Sequence, residues 1–213
     1  LTAINDGPED IELTGYKNES DVARLASTSG TTGRVKYIPV LAGDLESLGT
    51  RKSSYDLAGL DNVLSLYPFG SGQTYGLALK NLLAGKTYFN CFFTDHRLAK
   101  MLRNYPIRTL IGSPAQMAGF LEVQTQTGTQ LPILKTIIMG GSPPSQQLID
   151  RFKSQLDCQI FNAYGSTEAG NISIEEITSH ETGLNFAGTV MHSDVTIEIV
   201  DDSDLPVASG EVG

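Results

Sequence analysis

Apolar runs in this chain are short, and glycine, proline and small polar residues separate them. The runs Val22 to Ala26 and Val35 to Val40 flank a hydroxyl- and glycine-rich stretch. Apolar runs bounded in this way read as two strands joined by a turn. Ala42 to Leu60 predicts a helix, with Leu45, Leu48 and Lys52 at helical spacing and Asp44 near its start, where the helix dipole favours an acid. A regular rhythm follows. Strands are expected at Asp61 to Pro68, Thr87 to Phe93, Arg108 to Gly112, Leu134 to Met139 and Gln159 to Ala163. Between them the pattern predicts helices over Tyr75 to Leu83, Arg97 to Asn104, Ala115 to Thr125 and Pro143 to Leu156. Ala84-Gly85 and Gly128 suit helix ends, Pro106 stops a helix, and Ser142-Pro143 suits a cap and first turn. Strands alternating with helices of about ten residues indicate parallel β-α-β units.

Beyond Gly170 the rhythm changes. Asn171 to Ile177, Leu184 to Met191 and Val195 to Val200 read as strands with short turns. The expected fold class is therefore α/β: a mostly parallel sheet flanked by helices, with a β-rich C-terminal appendage. The division is an incoming loop over 1–20, an α/β core over 21–170 and a β-rich segment over 171–213.

Composition narrows the reading further. A chain of 213 residues that is 40% apolar can bury one large core or two small ones. A net charge of −9 gives no basic footprint for nucleic acid. No apolar run approaches the ~18 residues of a membrane span. Cys91 and Cys158 are far apart with no CxxC, which suits a reduced, cytoplasmic setting better than a metal site. His96, His180 and His192 are scattered and read as surface or structural residues. The chain opens on Leu1 without a leader and closes on Gly-Glu-Val-Gly, so a piece cut from a longer protein is expected.

Four phrases carry candidate chemistry. In Thr28, Ser29, Gly30, Thr31, Thr32 and Gly33, the glycines permit positive φ and the hydroxyls add donors; Arg34 and Lys36 add charge. That describes a cradle for anionic oxygens, although the spacing is not that of a Walker loop. Phe69 to Gly76 is glycine-rich, but its G-x-G-x-x-x-G spacing is too long for a dinucleotide fingerprint. Gly140, Gly141, Ser142 and Pro143 join a strand to a helix, and the glycines would let a flat ligand approach the backbone. Asn162, Ala163, Tyr164, Gly165, Ser166, Thr167 and Glu168 offer an amide, an aromatic face, two hydroxyls and a carboxylate at a strand end. In parallel sheets, ligands bind beyond the C-terminal ends of strands. Each phrase alone is also an ordinary turn. Asp201, Asp202 and Asp204 lack the Gly and distal Glu of a calcium loop and read as a solvated turn.

Taken in order, the phrases resemble the signatures of the adenylate-forming superfamily, which includes acyl-CoA synthetases, aryl acid ligases, luciferases and adenylation domains of peptide synthetases. The similarity runs from about Val22 to Gly213, within the family's large N-terminal domain. The resemblance implies that Thr28 to Gly33 wrap the β- and γ-phosphates of ATP, with Lys36 nearby. It places Gly140, Gly141 and Ser142 on one face of the adenine and Asn162, Ala163, Tyr164, Gly165 and Ser166 on the other. It gives Thr167 a contact to the α-phosphate and Glu168 a Mg²⁺ ion, and it sets the Phe69 to Gly76 turn beside the carboxylate pocket. The implied catalytic residues are Lys36, Thr167 and Glu168.

The implied reaction joins a small-molecule carboxylic acid to ATP, giving an acyl-adenylate and pyrophosphate. Passage of the acyl group to coenzyme A or a carrier-protein thiol then follows. A carboxylate is ionised at neutral pH, so no general base is needed. Three departures qualify this. The chain stops before the Asp that would grip the ribose, and it lacks the small C-terminal domain with its Lys. A frequent family His is replaced near Gly70 or Ser71, and no Phe-Asp pair of the amino-acid-activating kind is present, which favours an aryl or fatty acid. The alternative is a non-catalytic ATP- or AMP-binding or scaffolding module. The sequence leaves the acid, the acceptor thiol and the oligomeric state open.

Overall fold

A computed structural model describes residues 18–28, 36–45, 60–128, 130–131, 133–178 and 187–212. Among these, two sheets form. β1 (Val22–Thr28) and β2 (Lys36–Leu41) pair antiparallel, with Thr28 opposite Lys36. This matches the expected strand pair; the joining turn lies outside the described residues. The expected helix after β2 is described only over 42–45, which are helical, and Leu60 is not part of a helix.

The main sheet has seven strands. They are β3 (Val63–Ser65), β4 (Tyr88–Asn90), β5 (Thr109–Gly112), β6 (Thr136–Gly140), β7 (Gln159–Ser166), β8 (Gly170–Glu176) and β9 (Thr189–Val190), in the spatial order β4-β3-β5-β6-β7-β8-β9. β3 to β7 are mutually parallel, whereas β8 and β9 add to the edge antiparallel. Every residue of β3, β5 and β6 is buried, as expected for parallel strands covered on both faces.

Four helices are joined to these strands: α1 (Gly72–Leu83), α2 (His96–Asn104), α3 (Pro114–Thr127) and α4 (Gln146–Gln155). Alternation along the strands sorts the core into two layers. Leu64, Leu110, Ile137 and Met139 pack with Leu98, Phe120 and Phe152 of α2, α3 and α4. Val63, Ile111, Ile138, Phe161 and Ile174 pack with Leu77 of α1 on the other face. The chain leaves β3 toward β4 and then returns past it to β5, so the strand order reverses beside β3. The carboxyl ends of strands at such a reversal form a natural crevice.

Several element boundaries differ from the pattern-based expectation; the strand expected over Leu184 to Met191, for example, is described only from residue 187 and is confined to Thr189–Val190. α1 begins at Gly72, not Tyr75, because Ser71 caps it and accepts from the Thr74 N–H. α4 begins at Gln146 with Ser145 as its cap, not at Pro143 with Ser142. Pro144 disfavours helical backbone at Pro143, and Pro143 does the same to Ser142. β7 runs on to Ser166, because β8 pairs with it there through a register shift at Tyr164/Gly165. Val195 to Val200 forms no strand: the described residues show a single bridge, Val200 to Pro206, and Ile197 and Ile199 are exposed.

Candidate functional site

Three of the four polar phrases, those at Phe69 to Gly76, Gly140 to Pro143 and Asn162 to Glu168, meet at the carboxyl ends of the parallel strands. β6 ends at Gly140, whose register partner on β7 is Ala163. The two strands are so close here that a Cβ on Gly140 would sit 3.0 Å from the Ala163 carbonyl oxygen. Gly141 follows with φ +85°, a conformation side chains rarely adopt. Gly141 and Ser142 are exposed. Across the same edge, Asn162 and Ala163 are buried, while Tyr164 is 54% exposed, its ring free to meet a ligand. Gly165 is required for another reason: a Cβ there would fall 2.2 Å from the Gly170 oxygen. Ser166 is exposed and its hydroxyl accepts from the Ala169 N–H, shaping the turn that carries Thr167 and the exposed Glu168.

β3 supplies the third wall. The Tyr67 hydroxyl donates to the Gly140 carbonyl at 2.8 Å. Burial pushes this hydroxyl up to about 12, so it remains a donor across the neutral range. The Tyr67 carbonyl accepts from the Asn90 amide at 2.8 Å, and Leu66 accepts from Gln116 Nε2 at 2.6 Å. Gln116 belongs to a reciprocal cap with Ser113 at the start of α3. These contacts fix the chain leaving β3 to its neighbours before the Phe69 to Gly76 turn begins.

Gly72, the first residue of α1, is the junction. A Cβ placed on it would lie 3.6 Å from the Thr167 methyl and 3.8 Å from the Ala26 Cβ. β1 therefore reaches Thr167 through Gly72. Thr28 lies two residues, about 7 Å of strand, beyond Ala26, and its partner Lys36 is exposed. Among the expected site residues, Thr28, Lys36, Gly140 to Ser142 and Asn162 to Glu168 are thus described. Ser29, Gly30, Thr31, Thr32 and Gly33, with Arg34, lie outside the described residues.

Beneath this edge a small cavity of ≈ 20 Å³ is lined by Leu77, Ile111, Ile138, Ala163, Asn171, Ile174 and Met191. No lining residue is ionisable. Among the described residues no group of three His, Cys, Asp or Glu side chains could enclose a metal by itself. Mg²⁺ is commonly held by one or two carboxylates together with substrate phosphates, and Glu168 is an exposed carboxylate in the turn after β7. His96 opens α2, His192 is buried, and His180 lies outside the described residues. Asp201 accepts from the N–H groups of Ser203 and Leu205, so it shapes a turn. Cys91 and Cys158 are both free.

Arg24, Tyr67, Asn90 and Gln116 were not singled out from the pattern. The first carries a detectable signal, a cation inside a run otherwise apolar. The other three act across 23 to 73 residues of separation and leave no local trace.

Comparison with known proteins identifies the family and the fold. The family model for AMP-binding enzymes matches residues 5–213, and the chain belongs to that family. It is 26% identical over 176 residues to the putative acyl–CoA ligase YdaB of Bacillus subtilis, covering 80% of this chain and 34% of the relative. It is 28% identical over 157 residues to the human mitochondrial acyl-coenzyme A synthetase ACSM6, covering 70% of this chain and 32% of the relative. The chain thus spans about a third of the length of these curated relatives. Its fold matches a long-chain-fatty-acid-CoA ligase from Archaeoglobus fulgidus with a TM-score of 0.75 at 19% identity, over 96% of this chain and 43% of that one. It also matches the o-succinylbenzoate coenzyme A synthetase MenE of Bacillus subtilis, solved with ATP and magnesium, with a TM-score of 0.73 at 20% identity over 97% of this chain and 43% of that one. No described helix is long and apolar enough to cross a membrane.

Proposed function

We propose that this chain forms the nucleotide-binding heart of an ATP-dependent ligase that activates a carboxylic acid as its acyl-adenylate. The observation that carries this reading is the convergence at Gly72 and Gly140: β1, α1 and Thr167 meet at the first, and β3, β6 and β7 at the second. Three sequence-distant polar phrases thereby share one sheet edge, and β1, which leads toward the fourth, touches it at Gly72.

In the proposed reaction the substrate carboxylate attacks the α-phosphorus of ATP. The bond to the β,γ-pyrophosphate breaks, and pyrophosphate leaves with the electron pair. An anion attacks a polyanion, so the difficulty is charge rather than proton transfer. Backbone N–H groups at the start of α1, the Thr167 hydroxyl and Lys36 would act where charge builds. The slot between Gly140–Ser142 and Ala163–Tyr164 would hold the adenine, with the Tyr164 ring as its stacking face. Glu168 would hold Mg²⁺, which when bound supplies charge neutralisation for the phosphates.

A coenzyme A or carrier-protein thiol, losing its proton to solvent, would then attack the acyl carbonyl; the bond to AMP breaks, AMP leaves with the electron pair, and the thioester completes the proposed cycle.

The test is ATP–pyrophosphate exchange by the natural protein containing this chain, with aryl, fatty and amino acids. Exchange with an aryl or fatty acid is expected. Tight ATP binding without exchange for any acid would identify a non-catalytic nucleotide module instead. Glu168→Gln should raise the Mg²⁺ concentration needed for half-maximal exchange several-fold; an unchanged magnesium titration removes Glu168 from the metal site.

A further inference from the structure

Arg24 occupies the middle of β1, between Ala23 and Leu25. Its side chain reaches away from the hairpin. Nη2 donates to the Gly70 carbonyl at 2.7 Å, across 46 residues. The guanidinium carbon lies 4.2 Å from the centroid of the Tyr75 ring. Gly70 immediately precedes Ser71, the cap of α1, and Tyr75 lies in the first turn of that helix. Arg24 therefore grips the N-terminus of α1 at two points.

The remaining terminal nitrogen, Nη1, is buried with no hydrogen-bond partner among the described residues. A desolvated cationic donor without a partner is costly, and an apolar residue would fill a strand position without that cost. The cation is thus not explained by stability alone. Its neighbours suggest what it does. Two residues along β1, Ala26 abuts Gly72, and Gly72 abuts Thr167.

We propose that Arg24 is a positioning residue that locks the turn before α1 to the β1–β2 hairpin, and so sets the spacing between that hairpin and Thr167. The proposal rests on the ligase reading above. Arg24 touches no reacting atom; it acts through Gly70, Tyr75 and Gly72. The hydrogen bond fixes the distance of the turn from β1, and the stack on Tyr75 fixes its rotation. Lys36 and Thr167 would act on the same triphosphate from opposite elements, so their separation matters to rate. A misplacement of about 1 Å can cost about a hundredfold.

The experiment uses the natural protein containing this chain, with Arg24→Met, Arg24→Lys and Tyr75→Leu. Methionine keeps an apolar stem but removes both the donor and the charge. Arg24→Met is expected to lower kcat for ATP–pyrophosphate exchange by about tenfold or more, with a smaller change in KM for ATP. Lysine, which keeps a charge and a donor, should restore part of the rate, and Tyr75→Leu should reproduce part of the loss. Amide hydrogen exchange over residues 71–75 should accelerate in Arg24→Met while α3 and α4 stay protected. A lower melting temperature with kcat per folded molecule and residues 71–75 unchanged would overturn the proposal. If the unaltered protein exchanges no pyrophosphate, the ligase reading fails by itself. The amide-exchange arm then still decides whether Arg24 holds α1, and unchanged protection there refutes the lock. Should Arg24→Met fail to fold, Arg24→Lys and Tyr75→Leu carry the same two readouts.

Discussion

The two ends of the parallel strands make unlike surfaces from one sheet. At the carboxyl ends lie Gly140 to Ser142, Tyr164 to Glu168 and the N-termini of α1 and α4, with a ≈ 20 Å³ cavity beneath. At the opposite end a cleft of ≈ 490 Å³ is lined by Lys135, Lys153, Cys158, Glu176 and their neighbours. The larger space has the poorer chemistry. Lys153 is engaged with the Thr178 carbonyl. The Cys158 thiol is pushed up to about 11, by burial first and by the Asp157 charge second, which makes it a weak nucleophile at neutral pH. The difference teaches that reactivity follows where strands end and helices begin. There, backbone N–H groups lack partners and glycine lets a ligand approach them. Empty volume alone supplies neither.

Four tests probe this contrast, from the largest effect to the smallest. Lys36→Ala should lower the rate of adenylate formation by about 10²-fold with a modest loss of ATP affinity, in line with removal of one group that stabilises developing charge. Lys153→Ala, at the other end, is its control and should leave the rate within twofold of the parent; pre-steady-state pyrophosphate release measures both. Equal losses in the two variants would erase the distinction between the ends.

Gly165→Ala attacks the β7–β8 bulge, where the new methyl would meet the Gly170 oxygen. It should destabilise the fold by about 1–3 kcal/mol in urea unfolding. A neutral result would mean that β7 and β8 separate more easily than their pairing suggests.

Tyr67→Phe removes the donor to Gly140 and leaves a buried carbonyl without it. The expected cost is about 1 kcal/mol, seen as a several-fold rise in KM for ATP with kcat largely kept. An unaltered KM would show that Gly140 keeps its place without Tyr67.

The smallest effect concerns Cys158. Its folded pKa lies above the ordinary value of 9.0, so the folded state holds its proton longer than the unfolded chain does. This group's contribution is intact below pH 9 and is lost as pH rises from about 9 toward about 11. Alkylation by iodoacetamide at pH 8 should accordingly be slower than for a free cysteine, and Cys158→Ala should leave exchange activity unchanged. Rapid alkylation at pH 8 would show the cleft to be more reactive than its burial implies.

Much of this architecture could be read from local pattern. Helix ends are written in single residues, such as Gly128, which has φ +60° and closes α3. The buried strands betray themselves as short apolar runs. The misplaced boundaries have three separate causes: a local cap, an adjacent proline and a strand partner. Ser71 started α1 early, Pro144 delayed α4, and pairing with β8 drew Tyr164 to Ser166 into β7. The candidate site was legible where it consists of short phrases. The residues that hold those phrases in place were not, because Tyr67 and Arg24 act on partners 73 and 46 residues away. A hydrogen bond over such distances imposes no periodicity on the chain.

The amino-acid order by itself determined the alternation of strands and helices and the chemical groups on offer. Those follow from backbone preference and from burial of every second or every third-to-fourth side chain, which are local effects. Only the tertiary structure decided that β3 stands between β4 and β5, that Gly140 lies against Ala163, and that Gly72 joins Ala26 to Thr167. Those proximities come from burying two apolar layers on one twisted sheet. That optimum belongs to the whole chain, and no segment encodes it alone.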